Sequence, residues 1–206
     1  MGICLDYNIK LEKADEKGMV EGDSMIYFLQ KAKSSICEIK LSKDLIKANN
    51  INIILNGQTK TLSLNQRKIW TDEIIDFTCI EIKEKEDNIY TFFNLDDNVF
   101  TNELYLNQNV IIYGIKDNKI ESKLVFSNGK IKNSKNKDNY FAYTCNTYPG
   151  CSGGCIVNQY DNCVIGIHKG EIKGTGNKNA VNAGIFIRDI IKYIKENKYA
   201  FCSTVN

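Results

Sequence analysis

The chain holds one histidine, one proline and one tryptophan in 206 residues. No stretch approaches the run of about 20 apolar residues that a membrane-spanning helix needs, so no membrane span is expected. Pro149 is the single proline, and no proline-rich linker, repeat or low-complexity tract divides the chain. The 8 cysteines include no C-x-x-C pair. The usual spacing of a zinc site is therefore missing, and neither a metal nor another cofactor is expected. Net charge is only +2, too little to draw nucleic acid or an anionic membrane. The opening MGICLDYNIKLEKADEKG has no apolar core behind a basic region, so no secretory signal is expected. An intracellular, cytoplasmic location with free thiols follows as the expectation. Gly2 and Cys4 invite an acylation reading, but Asp6 stands where the acceptor pattern wants Ser or Thr.

What is present reads as β-structure. Apolar residues make up 43% and charged residues 25% of the chain, ordinary values for a globular protein. Short β-branched or alternating runs predict strands at Met25–Leu29, Ser35–Leu41, Ile51–Leu55, Thr61–Leu64, Phe77–Ile82, Asn109–Ile115, Glu121–Ser127, Phe141–Thr144, Gly154–Asn158, Val164–His168 and Ala183–Ile187. Many short strands at this spacing predict an all-β sandwich or barrel. Asn128-Gly129 reads as a turn between two of them. Ile187, Ile190, Ile191 and Ile194 recur at helical spacing, which predicts one C-terminal helix packed by that stripe. The acidic stretch Asn94–Asn98 reads as the connection between two halves.

The segment richest in chemistry runs from Thr147 to Gly170. Gly150-Cys151-Ser152-Gly153-Gly154 fits G-x-S-G-G. A nucleophile must stand on a tight turn with nothing bulky beside the incoming carbonyl, and glycines permit the φ values and the close approach. The N–H groups of Gly150 and Ser152 would converge as an oxyanion hole. Ile156-Val157-Asn158, a polar turn and Val164–Gly170 then read as a hairpin.

Together these residues resemble the trypsin-like (chymotrypsin-fold) serine peptidases: their glutamyl-endopeptidase branch and, more closely, the divergent members found in some protists, fungi and large viruses. The resemblance extends to Val110–Gly114 as the strand opening a second barrel, and to Ile75–Ile82 as the strand carrying the triad aspartate. More faintly, it extends to Gly22–Phe28. It implies two antiparallel six-stranded barrels with a C-terminal helix. Residues 1–18 would be an extension, 19–100 the first barrel, and 101–206 the second barrel plus helix. It also implies that Ser152 holds the nucleophile position and Asp76 the triad aspartate position. Thr147, Gly166 and His168 would line the pocket for the residue before the scissile bond.

The triad order in that family is His, Asp, Ser along the chain. The histidine belongs before Asp76, and the alignment of Ser42–Ile46 puts Lys40, or Ile39 one place off, at its position. The one histidine, His168, follows the serine on the groove-lining strand instead. A serine hydroxyl needs a partner to take its proton. Lys40 would serve only if burial lowered its amine toward neutrality. Cys151 lies one place before the nucleophile slot and has no histidine to make it a thiolate, so it reads as structural.

The expectation is a catalytically inactive peptidase homologue with a protein-binding or structural role, whose partner is a protein or peptide, or a larger assembly. The alternative is an active intracellular serine endopeptidase with an unusual general base and a preference for Glu before the scissile bond.

Overall fold

A computed structural model describes residues 3–4, 12–13, 37–40, 49–55, 58–72, 74, 76–96, 105–116, 123–133, 140–172 and 181–196. The predicted strand at Met25–Leu29 lies outside them, as does Cys202. In the first half, β1 (Ile3–Cys4), β3 (Cys37–Lys40), β4 (Asn50–Leu55) and β5 (Gln58–Ser63) form a four-stranded antiparallel sheet in that order. A separate hairpin pairs β6 (Ile69–Asp72) with β7 (Phe77–Ile80). Along β4 the side chains alternate, with Ile51 and Ile53 buried and Asn52 exposed, the period-2 pattern of a sheet with one wet face. Ile51, Ile53, Leu62, Leu64 and Ile89 form a core against which Ile69, Ile80 and Ile82 pack. Sheet and hairpin thus share one apolar interior, but the described residues do not show the expected closure into a first barrel.

A buried ion pair ties this half together. Arg67 reaches both carboxylate oxygens of Asp87, in the short helix α1 (Glu84–Asp87), at 2.7 and 2.5 Å. The same guanidinium donates to the carbonyls of Ser63 and Glu81, so each of its nitrogens has an acceptor.

The second half is a closed barrel. Its strands are β8 (Asn109–Lys116), β9 (Lys123–Asn133), β10 (Tyr140–Tyr143), β11 (Cys155–Asn158), β12 (Val164–Ile172) and β13 (Val181–Phe186). They run β10-β13-β12-β11-β8-β9, and β10 also pairs with β9, which closes the six-stranded ring. Outside it, β2 (Glu12–Lys13) lies parallel to β9. Val110, Ile112, Ile131, Phe141, Tyr143, Ile156, Ile165 and Phe186 fill the interior. The Phe141 and Phe186 rings stack at 4.3 Å. Gly166 and Gly184 make room for them, since a Cβ on either would stand 2.6 Å from the Phe141 ring.

Asn128-Gly129 is not a turn. Both residues lie within β9, opposite Ile111 and Val110. Gly129 is there for close approach, because a Cβ would sit 2.5 Å from the Cys145 nitrogen.

The predicted helix forms as α2 (Ile187–Glu196). Its Ile187, Ile190, Ile191, Tyr193 and Ile194 pack with Trp70, Phe77 and Cys79 of the hairpin and with Ile167 and Ile185 of the barrel. Tyr193 also donates to the Thr71 carbonyl at 3.1 Å. The helix thereby seats the hairpin on the barrel. The connecting segment runs beside β12, with Val164 N–H donating to Asn94 and Asp96 N–H donating to Val164. Among the described residues no helix is long and apolar enough to cross a membrane.

Candidate functional site

The Gly150–Gly154 turn joins Tyr148 to β11 and is pinned at several points. Cys151 N–H donates to Tyr148 at 3.1 Å and Gly154 N–H to Cys151 at 2.9 Å. Gly153 N–H donates to the His168 carbonyl at 2.8 Å, and His168 N–H returns to Gly154 at 2.7 Å. Gly150 and Gly153 have φ of 95° and 86°, a region that strongly favours glycine. Among the described residues, the N–H groups of Gly150 and Ser152 have no protein acceptor, unlike those of Cys151, Gly153 and Gly154. Those two free donors are the pair expected to form an oxyanion hole.

Ser152 is exposed at the tip, where its Oγ donates to the Lys169 carbonyl at 3.4 Å. Cys151 points the other way. It is 2% exposed, its sulfur lies close over Gly114, and burial pushes its thiol above the ordinary value. That environment disfavours a thiolate, in keeping with a structural cysteine. Cys79, Cys145, Cys151, Cys155 and Cys163 form no disulfide.

Beside Ser152 opens a cavity of about 910 Å³, whose wall includes Thr147, Gly150, Ser152, His168, Glu171 and Asn182. His168 is 4% exposed, and its Nδ1 lies 2.7 Å from the Tyr143 hydroxyl. Burial lowers the imidazole below its ordinary value and raises the Tyr143 phenol well above its own. Both groups are therefore neutral near pH 7. Thr147 donates to Asn182 Oδ1 at 3.0 Å, while the Asn182 amide donates to the Cys145 carbonyl at 2.6 Å. This chain of bonds fixes the cavity wall. Gly166 is not on that wall; it is buried beneath Phe141.

Asp76 sits in the β6–β7 turn with φ of 60° and pairs with the Lys169 ammonium. Ser152, Thr147, Gly150 and His168 therefore come together around one cavity. Asp76 is not on the wall of that cavity; it is linked to Ser152 through Lys169, whose ammonium it pairs with and whose carbonyl accepts the Ser152 hydroxyl. Lys40 lies on β3 opposite Asn52, and its side chain lies outside the described ones. The sequence reading did not single out Tyr143, Asn182 or Lys169. Tyr143 carried a signal, a polar aromatic within a predicted barrel strand.

Fold and site define a peptidase-type barrel with a serine-bearing turn at the mouth of a polar cavity. Residues 47–167, more than half the chain, match the trypsin-like peptidase domain, and the chain belongs to that family. Tobacco vein mottling virus protease shares the fold at 14% identity with a TM-score of 0.54, over 95% of this chain and 99% of that one. An HtrA-type protease solved with a decapeptide aligns at 15% identity with a TM-score of 0.52, over 75% of this chain and 46% of that one. Product-bound tobacco etch virus protease aligns at 8% identity with a TM-score of 0.49; this chain spans 63% of its length. At such identities the first two show the fold alone, and the third carries no argument. No curated protein matches the sequence.

Proposed function

We propose that this chain is a trypsin-like peptidase homologue that binds extended peptides without cleaving them. The observation that carries the reading is the surroundings of Ser152. Its hydroxyl faces a backbone carbonyl, and the one histidine of the chain is committed to Tyr143 inside the cavity. Without a general base, turnover falls by about 10⁴–10⁶.

Peptide binding is supported by an edge of β12 that has no partner strand among the described residues. Strand β11 pairs with β12 only as far as Ile167, so Lys169–Ile172 offers backbone groups on that side for strand addition. The cavity beside it suits a neutral polar side chain. His168 is uncharged, and Glu171 contributes to the wall. Among the described residues the wall offers a carboxylate no cation and one like charge, which weighs against the Glu preference of the glutamyl-endopeptidase branch.

The test is fluorescence anisotropy with labelled extended peptides of varied side chains, each sample then checked by mass spectrometry. Saturable binding with intact peptide is expected, weaker by about tenfold when a carboxylate replaces a neutral polar group, the scale of one hydrogen bond left unmade. Cleavage that Ser152→Ala abolishes would favour an active endopeptidase instead.

A further inference from the structure

Lys169 touches both residues that the sequence resemblance sets at triad positions, Ser152 and Asp76. Its carbonyl accepts the Ser152 hydroxyl, and its ammonium pairs with Asp76. The backbone shows how it gets there. On β12, His168 faces Gly184 and Gly170 faces Ala183, so Lys169 is the extra residue of a β-bulge. A bulge re-aims the side chain it carries, here toward Asp76 in the β6–β7 turn. Gly170 follows with φ of +155°, a conformation for which glycine is suited. Asp76 meets the lysine from a left-handed residue, a state Asp tolerates better than most. Unusual backbone on two separate elements thus converges on one ion pair. The Tyr140 ring, 6.0 Å from the ammonium, adds a third side.

Burial pulls the Lys169 amine below its ordinary value, while the carboxylate in contact favours the charged form. A charged amine takes no proton from a hydroxyl. Partly exposed pairs also add little to stability, so this one is better explained by what it occupies than by how strongly it holds.

We propose that Lys169 is the resident counter-ion of the cleft: it neutralises Asp76 in place of an imidazolium and fills the space where a base would be seated beside Ser152. This rests on the reading of Ser152 as a nucleophile position without a base. It adds the reason Asp76 is stably accommodated there.

The test uses the whole chain, Lys169→Ala and Lys169→Arg with a fluorophosphonate probe, with and without free imidazole, following intact mass. In labelling, Ser152 Oγ bonds to phosphorus, fluoride leaves, and the base takes the hydroxyl proton. Without imidazole all three proteins are expected to label negligibly. With it, Lys169→Ala should label at least about tenfold faster, because a general base supplies roughly 10²–10⁴-fold. Wild type and Lys169→Arg, which keep a cation on Asp76, should not respond. Circular dichroism should show all three folded. An equal response of all three, or none from Lys169→Ala, overturns the counter-ion proposal alone. Fast labelling of wild type without imidazole overturns the non-catalytic reading beneath it. If Lys169→Ala then loses that labelling, Lys169 is itself the base.

Discussion

Asp87 and Asp76 are both carboxylates of the first half, and each is paired with a cation. Asp87 is 7% exposed and takes a bidentate guanidinium together with the Lys83 N–H. Every group of that pair is satisfied within its own half, which makes it a clamp. Asp76 is largely exposed and takes a lysine from the other half. The first pair organises one half; the second joins the β6–β7 turn to β12. A carboxylate that could have served chemistry is identified by where its partner comes from, since the presence of a partner is common to both.

Breaking the clamp should have the largest effect. Arg67→Ala leaves the Asp87 carboxylate buried without its cation and should cost about 3–5 kcal/mol in denaturant unfolding. Gly129→Ala comes next, at roughly 1–3 kcal/mol, because its Cβ would strike the Cys145 backbone at 2.5 Å. Asp76→Asn should cost less than about 1 kcal/mol, as exposed pairs do. A cost at Asp76 equal to that at Arg67 would erase the distinction between clamp and cleft pair.

Acid titration sharpens the contrast. Burial works to raise the Asp87 carboxyl, but hydrogen bonds from Arg67 and the Lys83 N–H outweigh it and leave the group below its ordinary value. A depressed carboxylate stabilises the fold above its unfolded value of about 3.9, and that contribution is lost as pH falls through the folded value. Thermal midpoints of wild type should therefore drop in this range more steeply than those of Arg67→Ala. His168 is also depressed by burial. Its contribution is fully present above about 6.5 and declines as pH falls from there toward the folded value, so His168→Gln should flatten the slope just below that pH. This is the smallest of the expected effects.

The residues that were legible in the sequence are those whose signal is local. The Gly150–Gly154 turn, the strands at Asn109–Ile115, Gly154–Asn158 and Val164–His168, and the isoleucine stripe of α2 follow from periodicity and turn chemistry over a few positions. Asn128-Gly129 misleads because the same dipeptide serves a hairpin turn and a close backbone approach, and only the partner strand decides between them. Strand β6 was missed because Ile69–Asp72 is short and mixed in polarity. Lys169 was not legible at all. Its direction is set by a bulge against β13, and its partner lies more than 90 positions earlier in the chain. The expectations for Met25–Leu29 and for the Lys40 side chain fall outside the described residues.

The proposed role is to bind peptides and leave them whole. The most direct measurement incubates the full chain with a mixed peptide pool and counts new chain termini by mass spectrometry, alongside Ser152→Ala. No termini above background are expected in either sample. New termini formed by wild type at a consistent residue, and lost in Ser152→Ala, would contradict it.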